Sequence, residues 1–496
     1  MSLSITAEAR LGFEAASPAQ RMRRAARMLS LMLADICAFA SADILFRWGR
    51  NVPALAFFPG PAPSSHLFKL DVFLLLAILF VGVRILYGDY SRRVLFWDSA
   101  RDTTRALFIA SIPDLFLLAV GRNLYSPPAI IGSWLYLIIA VPAFRQIARS
   151  FLSWMGMWRI RTALVGDGHR MAEVYSALAP SLSLGYDLRS IISGHAPEAV
   201  PPTLSHLEHI AVSDSAETVR RVLQLGCEQA VVAAEDSQFA PYSDIIQQFL
   251  EADIKIAIVP SLRRLPLSGL NSSYFFGKDI LLLQVRNNLQ QLPRRIMKRS
   301  FDIVGAILFL LLFSPLFVAV AIAIKLNDGG PIFYAHRRVG RRRTPFDCLK
   351  FRTMATDADE RLQRWRHENP TLYEEFLKTF KLREDPRVTA PGKWLRRTSL
   401  DELPQLFNVL RGDMSLVGPR PVVERELDEY YGSAAQLYCR ARPGMTGLWQ
   451  VSGRSDTSYE ERITYDEWYI LNWTFWYDIV ILLQTAWIVF SGKGAV

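Results

Sequence analysis

Hydrophobic residues gather first in four long runs, residues 28–46, 72–86, 106–120 and 129–144. Each run approaches the ~20 residues needed to cross ~30 Å of hydrocarbon. Asp35, Asp43, Arg84 and Asp114 lie within these runs or at their ends and are read as packing groups between helices. Arg21, Arg23, Arg24 and Arg27 precede or open the first run. Arg92, Arg93, Arg101 and Arg105 lie between the second and third, and Arg145, Arg149, Arg159 and Arg161 follow the fourth. Positive charge on cytoplasmic loops then places both ends of a four-helix transmembrane block on the cytoplasmic side.

The pattern changes after residue 150. Short apolar stretches at 162–165, 188–192, 210–212, 230–233 and 255–259 alternate with helix-length segments, which predicts a Rossmann-like parallel sheet. Gly166-Asp167-Gly168 follows the first stretch as a dinucleotide fingerprint would. Met171 stands where its third glycine belongs, and no acidic residue ends the second stretch, so a structural or regulatory domain is expected. A connector with one strand-like segment, 280–285, leads onward.

An uncharged run, 303–324, is flanked by Arg294, Arg295, Lys298 and Arg299 before it and by Lys325, Arg337, Arg338 and Arg341–Arg343 after it. Bases on both sides, with Ser314-Pro315 in the middle, predict a re-entrant hairpin whose halves are too short to span. An ordinary Pro-kinked span is the alternative. Residues 356–380 read as a charged, solvated helix. Residues 465–490, rich in Trp and Tyr and then apolar, suit packing at the membrane interface or a buried core helix.

Candidate chemistry lies at 396–421, RRTSLDELPQLFNVLRGDMSLVGPRP. Pro404 suits the first turn of a helix, so the helix is expected to start near Leu400 or Asp401, with Leu403, Leu406, Phe407 and Leu410 as its apolar stripe and Gly412 as its stop. Asp401 and Glu402 at a helix start, with Arg396 and Arg397 before them, suit Mg²⁺ and a phosphoryl group. Taken alone, such a pair also reads as helix capping with a surface ion pair.

Composition narrows the partners. The chain has 496 residues, 51% of them hydrophobic, a net charge of +10 and a positive mean hydropathy of +0.15, consistent with membrane segments. The excess of bases suits nucleic acid, anionic lipid or phosphorylated substrate. The run 336–343 follows a membrane segment, so lipid headgroups are preferred to nucleic acid. Cys37, Cys227, Cys348 and Cys439 are scattered, which argues against a zinc site or a disulfide scaffold. No cleavable signal peptide is recognised.

Eight ordered motifs carry a resemblance: KRSFD at 298–302, Ser314-Pro315, Gly330-Pro331, KFRTM at 350–354, Asp385-Pro386-Arg387, SLDELPQ at 399–405, GPRP at 418–421 and RPGMTGLWQ at 442–450. Together they resemble the monotopic phosphoglycosyl transferases of bacterial glycan assembly, in the large subgroup that also carries membrane spans and a Rossmann-like domain. The implied fold is an α-helical membrane protein with α/β parts. It comprises an arm (1–26), four transmembrane helices (27–150), a Rossmann-like domain (151–265), a connector (266–296) and a mainly α-helical monotopic catalytic domain (297–496) with a hairpin at 302–325.

The resemblance implies a multi-pass protein of the bacterial inner membrane, with its catalytic domain on the cytoplasmic face. It would move a sugar-1-phosphate from a UDP-sugar to undecaprenyl phosphate with Mg²⁺ and release UMP. Galactose is the favoured sugar and glucose the alternative. Asp401 is implied as the nucleophile of an aspartyl-phosphosugar intermediate and as a metal ligand, and Glu402 as metal ligand or acid/base partner. Lys350, Arg352, Arg396 and Arg420 are implied as phosphate or uridine contacts, and Lys298, Arg299, Asp302, Ser314 and Pro315 as the membrane hairpin. A homodimer is the default for any oligomer. The rival readings are an NAD-dependent nucleotide-sugar enzyme and a non-enzymatic export regulator, neither of which employs Asp401 and Glu402.

Overall fold

In a computed structural model, residues 18–48, 66–119, 127–194, 201–212, 215–233, 242–252, 254–260, 265–274, 281–285, 288–358, 360, 362, 364, 385–452 and 457–491 are described. Most of the expected charged helix at 356–380 lies outside them. The chain divides into two units, Met1–Ser261 and Leu262–Val496.

In the first unit, helices α1 (Pro18–Ala42), α2 (His66–Leu86), α3 (Phe96–Ala119) and α4 (Pro127–Trp154) share one core of Phe39, Phe73, Phe80, Leu107, Trp134 and Leu137. The polar residues in the apolar runs bridge these helices. Arg145 donates to both oxygens of Asp35 at 2.6 and 2.5 Å, and Tyr90 donates to Asp35 at 2.7 Å. Arg84 donates to Thr103, and the Trp134 indole to Asp114. Among the described residues three helices are long and apolar enough to cross a membrane: Arg21–Phe46, Pro127–Trp154 and Leu292–Asp328. α3 falls short because Asp98, Arg101, Asp102 and Arg105 occupy its first half. Within α2, Phe73–Leu86 is an apolar stretch among the described residues.

The α/β part holds five parallel strands, β1 (Ile160–Gly166), β2 (Tyr186–Ser193), β3 (Glu208–Ala211), β4 (Gln229–Ala233) and β5 (Lys255–Ile258), in the order β3-β2-β1-β4-β5. Helices α5 (Gly168–Leu178), α6 (Ser215–Gln224) and α7 (Ser243–Glu251) complete it. Met171, in place of a fingerprint glycine, is buried in the core. The Tyr242 hydroxyl bonds Asp167 and receives the Gly194 N–H, tying together the loops beyond β1 and β2, where a dinucleotide would lie.

The second unit opens with a hairpin of β6 (Asn271–Tyr274) and β7 (Leu281–Gln284), then the 37-residue helix α8 (Leu292–Asp328). The sequence predicts a break or a kink at Pro315, and helical structure resumes beyond it, so α8 is one element from Leu292 to Asp328. Proline deprives the Leu311 carbonyl, four residues earlier, of its N–H partner. The Ser314 hydroxyl donates to that carbonyl instead, at 2.8 Å. Val304, Leu308, Leu311, Leu312, Val318 and Ile322 are exposed along this helix, an apolar surface that suits lipid.

The base of α8 is clamped by the KRSFD motif. Asp302 accepts from Lys298 and Ser415 and from the Leu416 N–H, while Lys298 also reaches Asp478 at 2.8 Å and the Val417 carbonyl at 3.0 Å. Arg299 donates to the Val409 and Leu410 carbonyls at 2.6 and 2.9 Å. These are end carbonyls of a short helix, which a cation is well placed to satisfy.

Removing one member of the Asp35–Arg145 pair leaves a buried charge alone, at a cost of roughly 3–5 kcal/mol. Asp35→Leu should therefore lower the melting temperature of the purified protein sharply, and Asp35→Leu with Arg145→Met should recover most of it. Equal losses in the single and double variants would show that the pair does not hold the helices together.

Candidate active site

The segment that carries the candidate carboxylates is built by chain reversal. Helix α9 (Ala390–Thr398) starts under Thr389, whose hydroxyl accepts the Gly392 N–H, and it ends at Ser399. Ser399 adopts φ 56°, a left-handed conformation that costs a non-glycine residue about 1–2 kcal/mol. The chain then forms a 3-10 turn, Leu400–Glu402, and only afterwards helix α10 (Gln405–Arg411). The helix expected to begin at Leu400 or Asp401 thus begins at Gln405, with Pro404 as its cap residue. Asp401 and Glu402 sit in the tight turn before it, so helix-end N–H groups do not define the site.

Strand β8 (Phe333–Val339) pairs antiparallel with β9 (Pro345–Phe351), which brings Lys350 to the turn. Lys350 Nζ lies 2.8 Å from Glu402 Oε1 and 3.9 Å from Asp401 Oδ2. Asn408, buried on α10, fixes this register. It accepts the Leu349 N–H at 2.9 Å and donates to the Asp347 carbonyl at 2.8 Å. Burial raises the pKa of Asp401, Lys350 opposes the shift, and Glu402 adds to it. Burial pulls Lys350 down, but Glu402 and Asp401 outweigh it and hold it above its ordinary value.

Arg396 and Arg352 stand beside this trio. Arg396 Nε donates to Thr353 Oγ1 at 3.0 Å, and its charge is felt by Asp401. The spacing depends on Gly392, because a Cβ there would meet the Thr353 carbonyl at 2.0 Å. Arg352 pairs with Asp328 at the end of α8, while its buried Nη1 lacks a hydrogen-bond partner. A Cβ at Gly330 would strike that same nitrogen, which explains the Gly330-Pro331 motif. Arg420 belongs to a different cluster. Its guanidinium faces the Trp449 ring at 5.3 Å, its N–H is held by Asp466, and its carbonyl accepts from Tyr438. Lys298, Arg299 and Asp302 form the clamp at the base of α8, and Ser314 and Pro315 lie within that helix.

The GPRP and RPGMTG motifs have a backbone reason. Strand β10 (Ser415–Val417) pairs parallel with β11 (Gly444–Thr446), and a Cβ at Gly444 would stand 2.1 Å from the Gly418 nitrogen. Two residues carry signals that sequence reasoning missed. Asp328 partners Arg352, and Asp466, in helix α11 (Tyr459–Asn472), is fully buried against Tyr431 and pushed up to about 7 by that burial. The DGGP and YDEW stretches hold them, but no spacing rule marks either.

With this geometry in view, comparison with known proteins is decisive. A model of the bacterial sugar transferases matches residues 293–492. A Salmonella typhimurium protein named undecaprenyl-phosphate galactose phosphotransferase is 38% identical over 407 residues, 82% of this chain and 84% of its own length.

The chain belongs to the bacterial sugar transferase family.

Two further relatives of this sugar transferase are informative. A UDP-galactose-lipid carrier transferase of Erwinia amylovora is 36% identical over 476 residues, 94% of this chain and 97% of its own. A UDP-glucose:undecaprenyl-phosphate glucose-1-phosphate transferase of Caulobacter vibrioides is 41% identical over 216 residues, 42% of this chain and 75% of its own.

Among the described residues of the sugar transferase, no group of three His, Cys, Asp or Glu side chains converges as an ion cage. Mg²⁺ does not require one, since it is commonly held by one or two carboxylates with water and substrate phosphates. Asp401 and Glu402 offer that donor set, partly exposed beside a cationic patch.

Because folding raises the Asp401 pKa, its ionisation costs stability in full above the folded pKa, and the cost fades as pH falls from there to the ordinary unfolded value. Asp401→Asn should therefore melt higher than the parent at neutral and alkaline pH, with the gap closing as pH falls. A lower melting temperature across the whole range would contradict the unfavourable burial.

Proposed function

We propose that this protein transfers hexose-1-phosphate from a UDP-sugar to undecaprenyl phosphate, with galactose as the sugar, Asp401 as nucleophile and the reaction on the cytoplasmic face of the bacterial inner membrane. The observation that carries the reading is the half-buried carboxylate pair held by Lys350 within the family segment. The sugar is taken from the two long relatives named for galactose, and glucose is the second reading because a shorter relative is named for it.

Two anionic substrates repel each other, so a covalent relay lets each meet the site separately. In the first step an Asp401 carboxylate oxygen attacks the sugar-linked phosphorus. An O–P bond forms, the bond to the second phosphate breaks, and UMP departs with the electron pair. In the second, an oxygen of the lipid phosphate attacks the same phosphorus and Asp401 leaves as carboxylate. Lys350 and Arg396 offset charge on the phosphoryl group, and the unpartnered Arg352 Nη1 offers a donor to it. Asp401 and Glu402 would hold Mg²⁺, which supplies further charge neutralisation when bound.

The re-entrant reading of α8 is supported by contacts at both of its ends. Taken straight, residues 303–324 would extend about 33 Å, enough to place their ends on opposite membrane faces. Lys298 and Asp302 nevertheless bond β10, while Val320 and Ile324 pack with Phe351 and Leu395 and Asp328 bonds Arg352. The short α10 is touched from both halves, by Arg299 at the Val409 carbonyl and by Phe317 on Phe407 at 5.8 Å.

Purified protein with undecaprenyl phosphate and Mg²⁺ should release UMP from UDP-galactose in preference to a panel of other UDP-sugars. Its rate should fall along an acid limb on acidification, because Asp401 must be ionised to attack. Glu402→Gln removes a charge that raises the Asp401 pKa, so in that variant the limb should move to lower pH while turnover falls. Preference for UDP-glucose would replace the sugar, and an unmoved limb would detach Glu402 from Asp401.

For α8, cysteines introduced at positions 296 and 328, after replacement of the native thiols, should both be labelled from the cytoplasmic side. Labelling of either from the periplasm would establish an ordinary span.

A further inference from the structure

A cavity of about 130 Å³ lies within the first unit, where the lower ends of the helix block meet the α/β sheet. It is well above the ~10–15 Å³ that one water requires. Arg24 and Arg27 of α1, Arg92 and Arg93 of the α2–α3 loop and Lys255 at the start of β5 line it, and Glu228 is the one carboxylate among its lining residues. Arg27 is 5% exposed, and Glu228 accepts from Arg24 at 3.3 Å and lies 3.6 Å from Arg27. One carboxylate therefore serves two guanidiniums, and the buried Arg27 Nη1 is left without a hydrogen-bond partner.

Arg93 repeats the pattern. Its guanidinium stacks on the Trp158 ring at 3.8 Å and its Nη2 donates to the Trp158 carbonyl, but its buried Nη1 has no partner. Burial, and then the neighbouring Arg27 charge, pull its pKa down to about 9. Unpaired buried guanidinium N–H groups are costly, and planar forks of this kind match phosphate oxygens. The first residues of β1 and β4, Ile160 and Gln229, also line the cavity, so it lies at the opposite end of the sheet from the glycine turn of Gly166 and Gly168.

The geometry points to a phosphate-binding site in this cavity, formed by Arg27 and Arg93 and separate from the candidate active site. Its ligand is a single phosphate group, carried either by a lipid headgroup or by a soluble phosphate ester. A phosphate there would partner both orphaned nitrogens and join the helix block to the sheet. Glu228 is the internal competitor for the same bases.

The test uses full-length, delipidated protein in detergent. Inorganic phosphate at constant ionic strength should raise the melting temperature saturably, and Arg93→Gln should abolish that response while retaining UMP release. Glu228→Gln should lower the half-saturating phosphate concentration several-fold, an opposite sign that a merely structural ion pair would not produce. In parallel, the protein is reconstituted in phosphatidylglycerol or phosphatidylcholine bilayers and released for native mass spectrometry. One phosphatidylglycerol retained per parent chain, and lost from Arg93→Gln, identifies the headgroup as the source. A phosphate response without retained lipid identifies a soluble ester. If neither probe distinguishes the parent from Arg93→Gln and Glu228→Gln, the site is refuted, whatever the catalytic assay shows.

Discussion

The candidate chemistry depends on one lysine set against two adjacent carboxylates. Asp401 and Glu402 are consecutive, so their charges cannot separate, and burial makes ionisation of Asp401 harder still. Lys350 offsets this from a different element, and its position on β9 is fixed by the paired backbone bonds of Asn408. The rest of the unit holds that register. Gly392 lets α9 approach Thr353, and Arg299 ties α10 to the base of α8. The resulting site keeps a carboxylate partly desolvated yet able to ionise, as a nucleophile requires.

The same small unit gathers both ends of a long apolar helix. Lys298, Asp302 and Asp478 form a buried charged cluster at its base, and Arg352 closes on Asp328 at its far end. Arg352 thus links the far end of α8 to the surroundings of the carboxylate pair. Ser314 shows how the fold tolerates Pro315: its hydroxyl replaces the missing backbone donor, so the Leu311 carbonyl keeps a partner.

The alternation of apolar runs made the five parallel strands legible, because residues such as Leu164, Ile191 and Val232 must be buried on both sheet faces. The carboxylate pair and Lys350 were legible from ordered motifs rather than from periodicity. The turn that presents them was not. Pro404 was read as the first turn of a helix, yet Ser399 takes a left-handed conformation that no residue rule assigns to serine, and this delays the helix to Gln405. Tyr242 closing over Asp167, and Asp328 meeting Arg352, join positions far apart in the chain, so they emerge only with tertiary structure. Arg420, grouped with the other bases on its motif, is positioned by Trp449 and Asp466, contacts that the motif does not reveal.

The central claim is that Asp401 carries the sugar phosphate covalently between donor and lipid. The most direct measurement is peptide mapping by mass spectrometry after the protein meets UDP-galactose and Mg²⁺ without undecaprenyl phosphate. The account predicts a hexose-phosphate adduct on Asp401, discharged when the lipid phosphate is added and absent from Asp401→Asn. An unmodified Asp401 in protein that turns over when lipid is present, or an adduct on another residue, would contradict it.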